Sequence, residues 1–215
     1  MNDLLPNQQF DDSDLVSAAN TRAICYGVQR SGSSYVWQLL RDVFGGKGII
    51  KTHNYLPAAR DIPIVCTYRD FRDCLVSAWR LNYPERTHIT EDEIQSLCAQ
   101  WCKYVIAHLN HYTEHVPASL FLRYEDFIAN PNVILQSICK MRDVDEQVWQ
   151  KSLIDHNMEK NRQLSSGPLA GDLLLVPNHV HEGEVGTWRR FVDDAGAKLI
   201  TNLLSTPLLK WGYTL

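Results

Sequence analysis

What the sequence lacks narrows the field first. It has little net charge: 21 Lys and Arg stand against 25 Asp and Glu, a formal −4. That balance sets aside a general nucleic-acid binder, while leaving room for a local basic pocket. No apolar run approaches the length of a membrane span. Residues 1–14 are polar and acidic, without the apolar core of a signal peptide. The expected setting is cytoplasmic. The cysteines, Cys25, Cys66, Cys74, Cys98, Cys102 and Cys139, lack a zinc spacing. Cys98 and Cys102 lie one helical turn apart, with no His or Cys pair nearby to complete a site. Buried free thiols in a reducing compartment are the plainer expectation, and no metal is expected. There is no internal repeat and no low-complexity tract.

A lysine is also missing from the stretch around which the chain is organised, Gly27-Val28-Gln29-Arg30-Ser31-Gly32-Ser33-Ser34. The apolar run Ala23–Tyr26 precedes it, and the amphipathic run Tyr35–Phe44, closed by Gly45-Gly46, follows. Strand, glycine-bounded loop and helix together make a phosphate cradle. Backbone N–H groups converge on an anion, and the helix N-terminus adds partial positive charge. The spacing matches G-x-x-x-x-G-K-[ST], except that Ser33 stands at the Lys position and the nearest cation is Arg30. The usual Lys neutralises β- and γ-phosphates, and the following hydroxyl holds Mg²⁺. Its loss argues against nucleoside triphosphate chemistry. The strand Ile62–Tyr68 ends at Arg69 rather than at a metal-binding Asp. The loop therefore reads as a cradle for an anionic nucleotide without a metal ion.

At 215 residues, 45% hydrophobic and 21% charged, the chain has the means for one domain with a full core. Residues 1–20 read as an irregular lead-in and 21–215 as a single domain. Strands are expected at Arg22–Tyr26, Ile49–His53, Pro63–Tyr68 and Leu120–Tyr124. Helices are expected at Asp70–Asn82, from Thr90 with Glu93 at the capping-box position, and from Asn130-Pro131 to about Met141. Two more are expected from Val144 to about Lys160 and from Trp188 to Leu204, before a short apolar tail at Thr206–Leu215. Residues 163–187, rich in Gly and Pro, read as a lid or substrate loop. The alternation predicts an α/β fold with a parallel sheet. Ligands of such sheets bind at the carboxyl ends of the strands. Four strand ends deliver Arg30 with Ser31, Lys51 with His53, Arg69, and Tyr124 with Glu125.

Taken in order, these elements resemble the sulfotransferases that use 3′-phosphoadenosine 5′-phosphosulfate (PAPS). Gln29–Tyr35 resembles their phosphosulfate loop, and Lys51-Thr52-His53 their Lys-Thr-His element. Arg69, followed eight residues later by Ser77, is similar to their 3′-phosphate element. Tyr124-Glu125-Asp126 and Gly186-Thr187-Trp188 resemble two further family motifs. The resemblance implies a P-loop NTPase-like three-layer fold, with a central parallel β-sheet flanked by helices. It also implies metal-independent sulfuryl transfer from PAPS, leaving PAP, to a hydroxyl or amine of a small molecule, lipid or glycan. Under it, His53 is the general base, with Arg30 and Lys51 stabilising charge at the transferring group. The nucleotide would be held by Arg30, Ser31, Gly32, Ser33, Ser34, Tyr35, Arg69, Ser77, Tyr124 and Gly183, with Tyr35 or Tyr124 against the adenine. The family's Arg-Lys-Gly element is replaced by His181-Glu182-Gly183. Arg189 or Arg190 then substitutes, or the lid sits differently, or cofactor affinity is lower. The alternatives are a P-loop kinase or nucleotide hydrolase, and a relative that binds nucleotide without turnover.

Overall fold

Strand Ala23–Gly27 (β1) is buried along its whole length, and its alternate residues enter two separate cores. The computed structural model describes residues 21–54, 62–115, 120–165 and 183–215. The lead-in 1–20 and residues 166–182 of the expected lid lie outside the described residues. Ile24 and Tyr26 pack with Phe71, Leu75 and Trp79 of helix Phe71–Asn82 (α2, after helix Ser33–Val43, α1). Ala23 and Cys25 pack on the other face with Val36, Leu39 and Leu40 of α1. A strand buried on both faces is the mark of a sheet covered by helices above and below.

The partners of β1 are Ile49–Thr52 (β2) and Ile64–Tyr68 (β3), and Leu120–Arg123 (β4) pairs with β3. All pairings are parallel, in the order β2-β1-β3-β4. Cys25 stands opposite Lys51 on one side and Val65 on the other. The carboxyl ends therefore open on one rim, which carries the loop after β1, His53 and Arg69. The three-layer parallel architecture is the one expected from the sequence.

The helices differ from expectation mainly where polar side chains interrupt them. Asp70 caps α2, accepting from the Arg72 N–H at 2.9 Å. Thr90 and Glu93 form a capping box on Glu91–Gln100 (α3). The expected long helix then widens into a π-helical segment, Trp101–Ile106, before Ala107–His115 (α4). Within that segment the Tyr26 hydroxyl donates to the Val105 carbonyl at 3.2 Å, a side chain taking a group from the helical ladder. Tyr124 leaves the expected strand and opens helix Tyr124–Ala129 (α5), followed by Asn132–Ile138 (α6). The single helix expected over 144–160 is two, Glu146–Asp155 (α7) and Met158–Leu164 (α8), because Asn157 caps the second. Likewise Asp193 caps Asp194–Leu203 (α9), which separates it from a 3₁₀ turn at Thr187–Phe191. The expected apolar tail forms Ser205–Lys210 (α10), with Pro207 in its first turn and Leu208 fully buried. All six cysteines are free; four are buried, whereas Cys102 and Cys139 are exposed.

Candidate active site

The loop after β1 turns sharply. Among the described residues Arg30 is the single non-glycine with positive φ, at 67°. Such a backbone costs an L-residue about 1–2 kcal/mol and persists where surrounding structure imposes it. Here Arg30 Nε donates to Ser77 Oγ at 3.0 Å, tying the loop to α2. Ser31 is fully buried, and its hydroxyl donates to the Val28 carbonyl at 2.6 Å while meeting Thr67 Oγ1 at 2.6 Å. Its side chain thus staples the loop to β3 instead of facing outward, unlike the expectation that it offers a hydroxyl to ligand. Gly32, at φ 78°, caps α1 without a side-chain acceptor for the first-turn N–H groups. A Cβ there would come within 2.9 Å of Phe127 and 3.0 Å of Tyr124, so no larger residue fits. Ser33 and Ser34 are buried at the start of α1. Tyr35 lies farther out, 6.3 Å from the Phe127 ring.

His53 follows β2 and reaches back to β1. Its Nδ1–H donates to the Gly27 carbonyl at 2.6 Å, which fixes the tautomer and leaves Nε2 as the acceptor. That lone pair faces Lys51 Nζ at 3.2 Å. Burial, with the charges of Lys51 and Arg30, holds the imidazole down to about 3, against the pull of the Gly27 carbonyl. Burial and Arg30 also lower Lys51. Arg30, Lys51 and His53 therefore share one electrostatic environment.

Arg69 is buried at the end of β3. Its Nη2 lies 3.3 Å from Asp73 Oδ2 and donates to the Glu184 carbonyl at 2.6 Å. Its Nε is buried and lacks a hydrogen-bond partner among the described residues. The guanidinium sits 4.3 Å over the Tyr124 ring, so that face of Tyr124 is covered. The Tyr124 hydroxyl donates to the Gly183 carbonyl at 2.7 Å. Asp73, fully buried, also accepts from the N–H groups of Gly186 at 2.7 Å and Trp188 at 3.0 Å. Arg69, Ser77 and Gly183 line a single cavity with Arg80, Glu184 and Thr187.

The structure thus brings Arg30, Ser77, Arg69, Tyr124 and Gly183 together, with Lys51 and His53 beside Gly27. Glu125 serves as a brace: it accepts from the Asp70 N–H at 3.1 Å and the Tyr213 hydroxyl at 3.0 Å. Arg190 pairs with Glu184 and Arg189 stacks on Trp188, and neither lines the cavity. His181 and Glu182 lie outside the described residues. Sequence reasoning missed Asp73 and Arg80. Asp73, in the first turn of α2, stands four residues after Arg69, an opposite-charge spacing visible in the sequence.

The family model of the sulfotransferase domain matches residues 46–205. The chain belongs to the sulfotransferase family. Strand β1 and the Arg30 loop precede the matched span. The fold is also that of solved sulfotransferase-like structures. Retinol dehydratase, in complex with androsterone and inactive cofactor PAP, is 16% identical, with a TM-score of 0.66 over 90% of this chain and 82% of that one. Mouse sulfotransferase SULT7A1 complexed with PAP is 16% identical, with a TM-score of 0.67 over 87% of this chain and 84% of that one. No curated protein sequence matches the chain. Among the described residues of this sulfotransferase, no helix is long and apolar enough to cross a membrane.

Proposed function

We propose that this sulfotransferase moves a sulfuryl group from PAPS to the hydroxyl or amine of a small-molecule, lipid or glycan acceptor. The observation that carries the reading is the gathering of Arg30, Lys51, His53 and Arg69 at one rim of a parallel sheet in a sulfotransferase domain. The residues suit an anionic nucleotide. The first turn of α1 offers N–H groups that no cap side chain takes, and Arg69 Nε is a buried donor without a partner among the described residues. PAP in the two similar structures supports the same ligand class.

When bound, PAPS supplies the sulfuryl group and a nucleotide leaving group. Arg30 and the loop around Gly32, Ser33 and Ser34 hold the phosphosulfate end, with Tyr35 at its border. Ser31 holds the loop in shape. Arg69 and Ser77 take the 3′-phosphate, while Tyr124 and Gly183 close the nucleotide side. His53 Nε2 accepts the acceptor's proton once Lys51 turns from it towards the incoming anion. Burial is the largest cause of the low imidazole value and remains, but negative charge beside Lys51 and Arg30 offsets the part their charges add, so the base strengthens when nucleotide arrives. Arg30 and Lys51, fixed in a part-buried site, stabilise charge growing on the bridging oxygen.

The test is transfer of labelled sulfate from PAPS over pooled phenols, alcohols and amines, in the presence of a chelator. Labelled product and a PAP-induced rise in melting temperature are expected. Absence of both would overturn the reading, and a magnesium requirement would favour the kinase-like alternative.

A further inference from the structure

This inference rests on the reading above and concerns the charge available at its 3′-phosphate end. We propose that Arg80 is a nucleotide-binding residue of this chain, whose guanidinium engages the ribose 3′-phosphate and sets the preference for 3′-phosphorylated nucleotides. Arg69 enters the cavity already committed: Asp73 balances its charge, and the Glu184 carbonyl occupies its Nη2. Arg80 lines the same cavity three residues after Ser77, on the same face of α2. Its guanidinium lies 4.3 Å over the Phe191 ring, and no carboxylate pairs with it among the described residues. Stacking on a ring steadies the plane of an arginine and leaves its N–H edge for an oxyanion.

The balance of charge points the same way. Arg69 and Arg80 line the cavity beside Ser77, and Asp73 pairs with Arg69. Arg80 thus brings to it a cation without a paired carboxylate among the described residues, suited to a phosphate monoester, which carries about −1.5 to −2 near neutral pH. Arg80 is also felt at Arg30, whose guanidinium is lowered to about 10 by burial and by its arginine neighbours. The other nearby cations, Arg189 and Arg190, do not line the cavity. The chain carries Glu182 just before Gly183, an acidic residue that cannot supply the cation.

The experiment is calorimetric titration of the full chain with adenosine 3′,5′-bisphosphate and with adenosine 5′-phosphate. Wild type is compared with Arg80→Gln, which keeps a planar group over Phe191, and with Arg80→Lys, which keeps the charge. Arg80→Gln is expected to weaken the bisphosphate about 10- to 100-fold, equivalent to about 1.4–2.8 kcal/mol. The monophosphate is expected to change by less than about twofold, and Lys to recover part of the loss. In turnover, KM for PAPS rises while kcat stays close to wild type. Equal losses for both nucleotides, or unchanged bisphosphate binding by Arg80→Gln, would overturn the proposal alone. A wild-type chain that fails to bind the bisphosphate would overturn the parent reading and this one with it.

Discussion

Arg30 and Ser77 meet across 3.0 Å, joining the turn after β1 to the second turn of α2. This contact directly links the loop proposed for the phosphosulfate end with the helix proposed for the 3′ end of the nucleotide. Ser77→Ala is expected to weaken PAP binding and also to slow transfer, because Arg30 loses the acceptor that aims it. A double-mutant cycle with Arg30→Met should show coupling of about 1 kcal/mol or more. Additive effects would mean the contact does not orient Arg30.

His53 gives a sharper prediction. His53→Ala should lower kcat by about 10²- to 10⁴-fold, the usual scale for removing a general base. Binding of PAP should change little. Turnover near wild type would remove His53 as the base.

The same residue predicts a pH dependence. An imidazole titrates near 6.5 in an unfolded chain, whereas folded His53 is held to about 3. The unfolded state therefore takes the proton first. Stability from this site is full above pH 6.5 and declines as pH falls towards 3. The melting temperature of His53→Gln should fall less than that of wild type between about pH 7 and 5. Parallel curves would contradict the low proton affinity. Glu93 adds a separate loss at lower pH: despite burial, its Arg86, Thr90 and Trp79 donors hold it to about 2.

Asp73→Asn removes the charge that compensates buried Arg69 and weakens the hold on Gly186 and Trp188. Loss of one partner of a buried pair typically costs about 3–5 kcal/mol, readable by urea denaturation. A change under about 1 kcal/mol, within the range of an exposed pair, would show that Arg69 is solvated.

Gly183→Ala combines a backbone at φ 72° with a Cβ 2.4 Å from Met158. A loss of about 1–2 kcal/mol is expected from the backbone, and Met158→Ala in the same chain should relieve the clash but not the strain. Full recovery in the double variant would show that the conformation itself is not costly.

The layers and the rim were legible in the sequence because periodicity and strand-end chemistry are local properties. The β1 and β3 stretches read as apolar runs, and Arg30, Lys51, His53 and Arg69 follow the ends of the predicted strands. The rest depended on partners far along the chain. Ser31 belongs to a phosphate-loop pattern, yet Thr67, 36 residues away, draws its hydroxyl inward. Tyr124 looks like the last residue of a strand, but its hydroxyl bonds to Gly183, 59 residues on. Arg80 carries no motif, and only the folded helix sets it beside Ser77 in a cavity. The breaks at Asn157 and Asp193 were readable in principle, since both residue types favour helix starts.

The widened turn at Trp101–Ile106 sets the phase of what comes after it. Winding the same residues as ordinary α-helix would swing the following helix by about 100°. Tyr112 would leave its place 4.6 Å from the Tyr26 ring, and its hydroxyl would lose the Asn54 carbonyl, next in the chain to His53. Regular winding in that turn would thus loosen the proposed base without touching any residue around it.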